Sequence, residues 1–374
     1  MEHPLSSVPP AGPMRVCFFI PRLWNGGAEK QCASIINELQ QFPGVEAHLI
    51  LLAPGEFDSQ LDTSNLKVHR THVRDFASPL ALAFLIRTLW KIRPHILLSW
   101  MQAADIWAYA ATRVVPGIKW IIAERSSVYP EEMAYRIRRI VGRRGAAGII
   151  ANSEAGRKYW EDATGPSAPV YVIPNLLTAE QARGAADIDR ITASECLFVG
   201  RLEPEKNIAL MVKSFALFAG ARPTARLLLS GRGTRADEAQ RLAAEGGASD
   251  KVQFLGFRND VPDLMSRARL LLSFSLFEGM PNALLEAVSQ GLPAVVSDIP
   301  SHRALLGDDY PFYIGLEATP DEARAVMEHA WADGPASVGR LYRNAKSKLA
   351  EMAPDKVVEA YVGAFQEILD RPRH

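Results

Sequence analysis

The stretch EGMPNALLEA, residues 278–287, lies between two short apolar runs, 270–275 and 293–297. Such runs are typical of buried strands, and the segment between them has the composition of a helix. Pro281 suits the first position of that helix, where its missing N–H costs nothing. The pattern predicts strand, helix and strand in succession, which is the repeating unit of a parallel α/β sheet.

The same ten residues carry two carboxylates. Glu278 precedes the predicted helix and Glu286 lies about one turn inside it. Carboxylates accept hydrogen bonds from hydroxyls, and early helix N–H groups bind phosphate. Glu278 is therefore a candidate for hexose hydroxyls and Glu286 for a ribose diol, although both acids would also complement the helix dipole. The run indicates a nucleotide-sugar site, with further candidate contacts at Gly279, Met280, Pro281, Asn282, Ala283 and Leu284.

The alternation of strand-like and helix-like segments extends along nearly the whole chain. It predicts two doubly wound α/β domains facing across a cleft, with ligands beyond the carboxyl ends of the strands. After about residue 320 the pattern is helical. Strands are predicted at 15–20, 47–52, 95–99, 119–123, 148–151, 170–173, 195–199, 225–230, 252–254, 270–275 and 293–297.

Breaks in this rhythm predict the domain borders. Proline-rich residues 1–14 read as a flexible lead-in, and the polar stretch 176–194 as an interdomain linker. Residues 15–175 then form an N-terminal domain and residues 195–353 a C-terminal domain, followed by a last helix at about 354–370.

Composition excludes several classes of protein. Lys and Arg balance Asp and Glu at 42 each, so no overall field favours nucleic acid. Neither half has GxGxxG after its first strand, and GxxxxGK[ST] is absent, which argues against a dinucleotide cofactor and a P-loop ATPase. No apolar run reaches the length of a membrane span. We expect a cytoplasmic protein, at the inner face of the membrane if it binds lipid.

Two glycines follow the first predicted strand. Gly26 and Gly27 open a helix, where the backbone can approach an anionic ligand closely. They are candidate donor contacts. The alternative is a tight turn in which Glu29 satisfies the first helical turn.

The loop after strand 195–199 contains two fixed cations. Arg201 and Lys206 suit a diphosphate that gains charge as it leaves. The alternative is a solvated loop in which they pair with Glu203 and Glu205. Turns at the ends of neighbouring strands add weaker candidates at Gly200, Gly231 and Phe257.

Together these runs resemble glycosyltransferase family 4, a retaining group with the GT-B fold. The resemblance covers roughly residues 14–370, and its most specific element is the pair of glutamates eight residues apart. It implies a UDP- or GDP-sugar donor and transfer of a hexose or N-acetylhexosamine to a glycan or lipid-linked glycan without metal or cofactor. It also implies that the C-terminal domain binds the nucleotide sugar, that the N-terminal domain binds the acceptor, and that the last helix packs back on the N-terminal domain. In that reading Arg201, Lys206 and Glu278 are the catalytic candidates.

Two segments depart from the family's pattern. Glu124-Arg125-Ser126 replaces a histidine near the end of strand 119–123, so these three residues are acceptor-side candidates, unless Glu124 and Arg125 form an internal pair. Ile299-Pro300-Ser301-His302-Arg303 lies where many relatives have a glycine pair and a glutamate, which leaves His302 either functional or a plain surface or helix-start histidine.

A basic cluster lies in the predicted helix 130–141 and just beyond it. It fits an anionic membrane surface or a lipid diphosphate, with a solvated face as the alternative. Two other functions stay open: a nucleotide-sugar epimerase or hydrolase, and a non-catalytic subunit that binds a sugar nucleotide. The cluster consists of Arg136, Arg138, Arg139, Arg143 and Arg144.

Overall fold

The computed structural model describes residues 12–24, 26–72, 78–126, 129, 132–178, 181 and 193–371. They fall into two compact units, divided after Pro174 and again after Pro354. Most of the predicted lead-in (1–11) and of the predicted linker (179–180 and 182–192) lies outside the described residues. Leu177, within the predicted linker, donates its backbone N–H to Met352 O at 2.9 Å, so this segment belongs to the second unit.

The first unit is built on a parallel sheet of seven strands. The strands are β1 Met14–Phe19, β2 Val45–Leu51, β3 Lys67–Arg70, β4 Ile96–Trp100, β5 Lys119–Glu124, β6 Gly148–Ala151 and β7 Val170–Val172. Their order is β3-β2-β1-β4-β5-β6-β7. The central strands are almost wholly buried and apolar, as expected when helices cover both faces of a parallel sheet.

Helices of the first unit begin and end at recognisable signals. In the second of them, the Ser78 hydroxyl accepts from Leu80 N, Pro79 takes the first position, and Arg93 ends the helix with φ +47°. The helices are α1 Gly27–Leu39, α2 Pro79–Ile92, α3 Gln102–Val114, α4 Met133–Gly145 and α5 Glu154–Thr164.

The second unit repeats the plan with six parallel strands. The strands are β8 Glu195–Val199, β9 Arg226–Ser230, β10 Val252–Gly256, β11 Leu270–Ser273, β12 Ala294–Ser297 and β13 Tyr313–Ile314, in the order β10-β9-β8-β11-β12-β13. The helices are α6 Ile208–Gly220, α7 Ala236–Glu245, α8 Val261–Arg267, α9 Asn282–Ser289, α10 Pro300–Leu306, α11 Pro320–Leu341 and α12 Arg343–Ala350.

The last helix, α13 Pro354–Asp370, belongs to the first unit. It packs over the sheet at Gly148, where an added Cβ would lie 2.5 Å from Ile368 Cδ1. Its Tyr361 is fully buried and accepts a hydrogen bond from Arg125 at the end of β5. The glycine and the buried tyrosine explain how the chain's end docks on this unit.

The predicted strands match the observed ones to within two residues at each end. The two strands that the sequence did not reveal are β3 and β13, which lie at sheet edges and have two to four residues. Short edge strands carry no continuous apolar run, so periodicity does not distinguish them from loops.

Strand order creates one topological switch point in each unit. β1 has β2 on one side and β4 on the other, and β8 has β9 and β11. Helices on the two sides of a switch point leave opposite faces of the sheet, so a crevice opens at the carboxyl ends of the strands. In the second unit, the predicted donor residues follow the two strands at this point, β8 and β11.

A pair of histidines joins β2 to the edge strand β3. His48 Nδ1 lies 3.1 Å from His69 Nε2, and His48 Nε2 lies 3.0 Å from Glu46 Oε1. One histidine nitrogen must donate and the other accept, which requires a neutral ring on at least one side. Burial lowers the pKa of both histidines.

We expect acid to destabilise the first unit through this pair. Because the folded pKa values are lowered, the unfolded chain takes up these protons first, near pH 6.5. The stabilisation that the neutral rings contribute is complete above that pH. It is lost as the pH falls through the pKa values that the two histidines have in the folded protein. Urea unfolding midpoints between pH 7.5 and 5 give the slope of stability against pH. Tryptophan fluorescence reads them for this unit, since six of the seven tryptophans lie in it.

A matched pair of variants assigns that slope. His69→Gln should flatten it, whereas His72→Gln, at an exposed position, should not. Burial also lowers the pKa values of His95 and His302, so part of the dependence of stability on pH remains in both variants. Equal slopes in the two variants would contradict the role given to the His48–His69 pair.

Candidate functional site

Glycines interlock the loops at the carboxyl ends of β8, β9 and β10. Gly200 N donates to Ser230 O at 3.0 Å, and Gly231 N donates to Gly256 O at 2.8 Å. Gly231 has φ +149°, and an added Cβ there would lie 1.8 Å from Gly200 O. The structure therefore brings the predicted residues Gly200 and Gly231 together, with Phe257 on the adjoining loop, and explains why both turns need glycine.

The central feature of the site is an ion pair across the switch point. Lys206 Nζ, after β8, lies 2.5 Å from Glu278 Oε1, after β11. The Ser275 hydroxyl donates to the same carboxylate oxygen at 2.8 Å. The two charged side chains are 16% and 17% exposed, so the pair is shielded but within reach of a ligand. Two residues predicted from separate motifs thus form one site.

Arg201 lies on the outer side of the same loop. Its side chain is 55% exposed and pairs with Glu205 at 2.8 Å, which is the internal pairing considered as the alternative. Glu203 instead accepts from the Thr234 hydroxyl at 2.6 Å. An exposed pair of this kind contributes about 0–1 kcal/mol, so a diphosphate can exchange with Glu205 at little cost.

The ten-residue run 278–287 begins in the segment that precedes α9. Pro281 is the N-cap and Asn282 the first helical residue, one position later than predicted. Asn282 N donates to Met280 O at 3.0 Å, so this N–H is already engaged. Asn175 donates its side-chain amide to Asn282 Oδ1 at 2.5 Å and fixes the turn.

The remaining members of the run differ in their access. Leu284 is fully buried in the core, and Ala283 packs against it, so their backbone alone can serve a ligand. Gly279 is half-buried beside Glu278.

Glu286 is covered by another side chain rather than open to a diol. It is 4% exposed, and its Oε1 accepts from Gln181 Nε2 at 2.8 Å. Ser289 donates its hydroxyl to Gln181 O, and Gln181 N donates to the Thr178 hydroxyl. A ribose would first have to displace the Gln181 amide, and the role of Glu286 as a ribose ligand stays a prediction.

Sequence reasoning missed three residues that shape this site. Ser275 lies at the end of an apolar run and Asn175 follows a proline at a strand end, so their positions at strand ends were a usable signal. Gln181 lies in a polar stretch without any pattern. Nothing in its surroundings indicated that it would reach α9.

Gly26 and Gly27 belong to the first unit, at the start of α1. Gly26 is the N-cap, and an added Cβ there would lie 2.4 Å from Glu29 Oε2. Glu29 therefore folds back over the first turn, as the tight-turn alternative expects. Trp100 at the end of β4 donates its indole N–H to Ala28 O at 3.0 Å and holds this turn at the switch point of the first unit.

Glu124 lies in a buried charge network, contrary to the prediction that it faces an acceptor. Arg138 donates to Glu124 Oε2 at 2.6 Å and to Asp105 Oδ2 at 2.5 Å. Trp160 Nε1 and Ser126 N also donate to Glu124, each at 2.7 Å. All three charged side chains are at most 2% exposed. The Glu124 carboxylate therefore joins β5 to α4 and α5, and Arg138 extends the network to Asp105 on α3.

The two residues after Glu124 remain partly accessible. Arg125 is half-buried, stacks over Trp100 with 4.3 Å between the guanidinium carbon and the ring centroid, and donates to Tyr361 on α13. Ser126 is half-buried as well. The internal pair weighed for this segment forms between Glu124 and Arg138, and Arg125 takes no part in it.

The basic cluster on α4 loses one member to the core. Arg138 is the buried partner of Glu124, so it cannot contact a membrane. Consecutive residues of a helix point in different directions, so Arg138 can be buried while its neighbours are exposed. The other four arginines are exposed, together with apolar Met133, Ile137 and Ile140.

Within the described ranges, no group of three or more His, Cys, Asp or Glu side chains could hold a metal ion. None of the described helices combines the length and the apolar character needed to cross a bilayer.

Comparison with known proteins gives two domain matches. Residues 25–181 match the family described as Glycosyltransferase Family 4, and residues 192–348 match Glycosyl transferases group 1. The solved structure of Anabaena HepE in complex with UDP-glucose has a TM-score of 0.80 at 18% identity and covers 95% of this chain and 100% of that chain.

Curated relatives match over shorter segments. The chain is 33% identical over 137 residues to O-antigen chain mannosyltransferase B of Escherichia coli, which is 36% of this chain and 35% of that protein. It is 34% identical over 114 residues to an N-acetylgalactosamine-N,N'-diacetylbacillosaminyl-diphospho-undecaprenol 4-alpha-N-acetylgalactosaminyltransferase of Campylobacter jejuni, 30% of each chain. The match thus spans about a third of each relative.

The buried network predicts a large loss of stability on removal of its cation. Arg138→Met should destabilise the first unit by about 3–5 kcal/mol, because two carboxylates stay buried without their partner. Urea unfolding followed by tryptophan fluorescence measures it. Arg136→Met, exposed on the same helix, is the control and should change stability by no more than about 0.5 kcal/mol. A loss below about 1 kcal/mol for Arg138→Met would show that the network is not structural.

Proposed function

The chain belongs to glycosyltransferase family 4 and has the GT-B fold, and from this we propose that its second unit binds a nucleotide-diphosphate sugar and transfers the sugar. The observation that carries the proposal is the Lys206–Glu278 pair at the β8/β11 switch point. A lysine ammonium suits a diphosphate and a carboxylate suits sugar hydroxyls. The pair supplies both the ammonium and the carboxylate at the switch point, so one ligand could bind to both groups.

The reaction we propose is transfer with retained configuration. The bond between the sugar's anomeric carbon and the diphosphate oxygen breaks, and a bond to an acceptor hydroxyl forms on the same face. The hydroxyl proton passes to the departing phosphate. Lys206 and Arg201 stabilise the negative charge that develops on the departing phosphate. Because this charge is greater in the transition state than in the bound donor, the two cations lower the barrier.

The donor proposed is a UDP-sugar carrying a hexose or N-acetylhexosamine. Support comes from the chemistry of the site and from two similar proteins: HepE was solved with UDP-glucose, and the Campylobacter relative is named for N-acetylgalactosaminyl transfer. We place the ribose at Glu286, after the Gln181 amide has moved aside.

The acceptor we propose is a glycan or lipid-linked glycan bound by the first unit. The half-buried Arg125 and Ser126 follow β5 at the carboxyl edge of the first sheet, and they are our candidates for the acceptor side. Gly26 and Gly27, at the start of α1, stay the candidate donor contacts that the sequence predicts.

We also propose that α4 holds the protein at an anionic membrane surface. Met133, Ile137 and Ile140 follow one another at helical spacing and are 66%, 38% and 49% exposed. Exposed arginines flank this apolar stripe. A helix with apolar residues beside cations binds the interface of an anionic bilayer. The flanking arginines are Arg136, Arg139, Arg143 and Arg144.

Donor binding is tested by thermal shift against UDP-, GDP- and dTDP-sugars. A ligand at 100-fold its dissociation constant should add about 2.7 kcal/mol of stability. Lys206→Met should weaken that ligand by about tenfold or more, since Glu278 then meets the diphosphate without its cation. Lys213→Met, exposed on α6, is the matched control.

Two outcomes would count against this function. The donor site is refuted if none of the sugar nucleotides shifts the melting temperature. Consumption of a UDP-sugar at the same rate with and without acceptor glycans would instead favour an epimerase or hydrolase.

Membrane binding is tested by co-sedimentation with vesicles. Vesicles containing phosphatidylglycerol should bind the protein and pure phosphatidylcholine vesicles should not. Each arginine near an anionic surface contributes about 1 kcal/mol, so Arg136→Gln with Arg143→Gln should weaken binding by roughly 30-fold. Arg235→Gln with Arg241→Gln, exposed on the second unit, is the control. Equal binding by the two double variants would exclude α4 as the contact.

A further inference from the structure

His302 lies on α10, which follows β12. β12 pairs with β11 through Ser273 and Val296, and β11 leads to Glu278. The charges of Glu278 and Lys206 both act on its ring. The carboxyl ends of three adjacent strands, β8, β11 and β12, therefore bring a lysine, a glutamate and a histidine to one place.

The hydrogen bonds of the ring define its protonation. His302 Nδ1 lies 2.8 Å from Ser297 O, and a carbonyl oxygen can only accept, so Nδ1 carries the proton. Burial lowers the pKa of the ring, which keeps it neutral. Nε2 is then an acceptor only.

That acceptor is buried and unused. His302 is fully buried, and Nε2 has no hydrogen-bond partner among the described residues. Leaving an acceptor buried without a partner is unfavourable, and an apolar side chain would avoid this. Structure alone therefore does not account for a histidine here.

The bond at Nδ1 does not account for it either. Ser297 O also accepts from Ile299 N at 3.0 Å, so this carbonyl keeps a partner without the histidine. What the imidazole adds is an acceptor at Nε2, at the group of adjacent strand ends that also carries Lys206. The Lys206 ammonium has three N–H groups and one described partner.

We propose that His302 is a positioning residue of the donor site, whose Nε2 accepts a hydrogen bond from Lys206 once sugar hydroxyls engage Glu278. This inference rests on the proposed donor site. While Glu278 is paired, Lys206 is held by the carboxylate. When hydroxyls take up that carboxylate, His302 holds the ammonium toward the diphosphate.

Two amide variants separate the ring's nitrogens. His302→Gln places an amide oxygen near the position of Nε2, and His302→Asn places its amide near Nδ1. Calorimetric titration with UDP and with the UDP-sugar that the wild type binds then gives four dissociation constants. We expect His302→Asn to bind the UDP-sugar about tenfold more weakly, and His302→Gln to stay within about threefold of wild type. Binding of UDP alone should change less than threefold in both.

Weaker binding of the UDP-sugar by His302→Gln than by His302→Asn would overturn the inference, because it would mean that the hydrogen bond from Nδ1 to Ser297 O, and not Nε2, supports donor binding. Wild-type binding of the UDP-sugar by His302→Asn would also overturn it, while leaving the donor site intact. Absence of UDP-sugar binding by the wild-type protein would instead refute the proposed function.

A measurement on the wild-type protein does not depend on the variants folding. Long-range ¹⁵N NMR of labelled histidine should report the Nδ1–H tautomer for His302 in the free protein. Saturation with the UDP-sugar should shift the Nε2 resonance in the direction of a hydrogen-bonded acceptor, and UDP alone should not. An unchanged Nε2 resonance with the UDP-sugar would reject the contact with Lys206.

Discussion

The contact between Lys206 and Glu278 depends on a constraint of parallel sheets, which is that all strands end at the same edge. The two residues are 72 apart in sequence and meet because β8 and β11 are neighbours although β9 and β10 lie between them in the chain. The interlocked glycine turns at Gly200 and Gly231 bring the β8 and β9 loops within contact distance and fix the course of the chain that carries Lys206. The position of the charge pair thus follows from strand order and from two residues without side chains.

The first unit uses buried charge in a different way. Arg138, Asp105 and Glu124 are fully enclosed, and each carboxylate has further donors from Ser99, Trp160 or Ser126. A buried ion pair is tolerated only when its remaining hydrogen-bonding capacity is satisfied. In the Lys206–Glu278 pair the charges are instead partly exposed and have few partners. The difference in burial separates a structural network from a site that can exchange its partners for a ligand.

The sequence predicted the two sheets and their strands, because these depend on local apolar runs, whereas the donor-site chemistry of Glu278 and Lys206, which was inferred from residue type, stays a prediction. It could not predict that the two side chains pair, since strand order is not a local property. It also could not separate Arg138 from Arg139, because a run of arginines does not reveal which side of α4 faces the core. Gln181 was beyond prediction for a further reason, as its contact with Glu286 comes from a polar stretch with no periodicity.

Each of the charged groups that we propose for the donor site has a protein partner. Lys206 has Glu278, Arg201 has Glu205, and Glu286 has Gln181. On the proposed function, donor binding is an exchange of partners, and its free energy is the difference between two sets of hydrogen bonds. A nucleotide without a sugar would replace Glu205 and Gln181 but would offer nothing to Glu278, so Lys206 would stay with its carboxylate. An intact donor would complete the exchange. On the proposed function, the same groups that bind the donor would then favour release of the nucleotide once its sugar has been transferred.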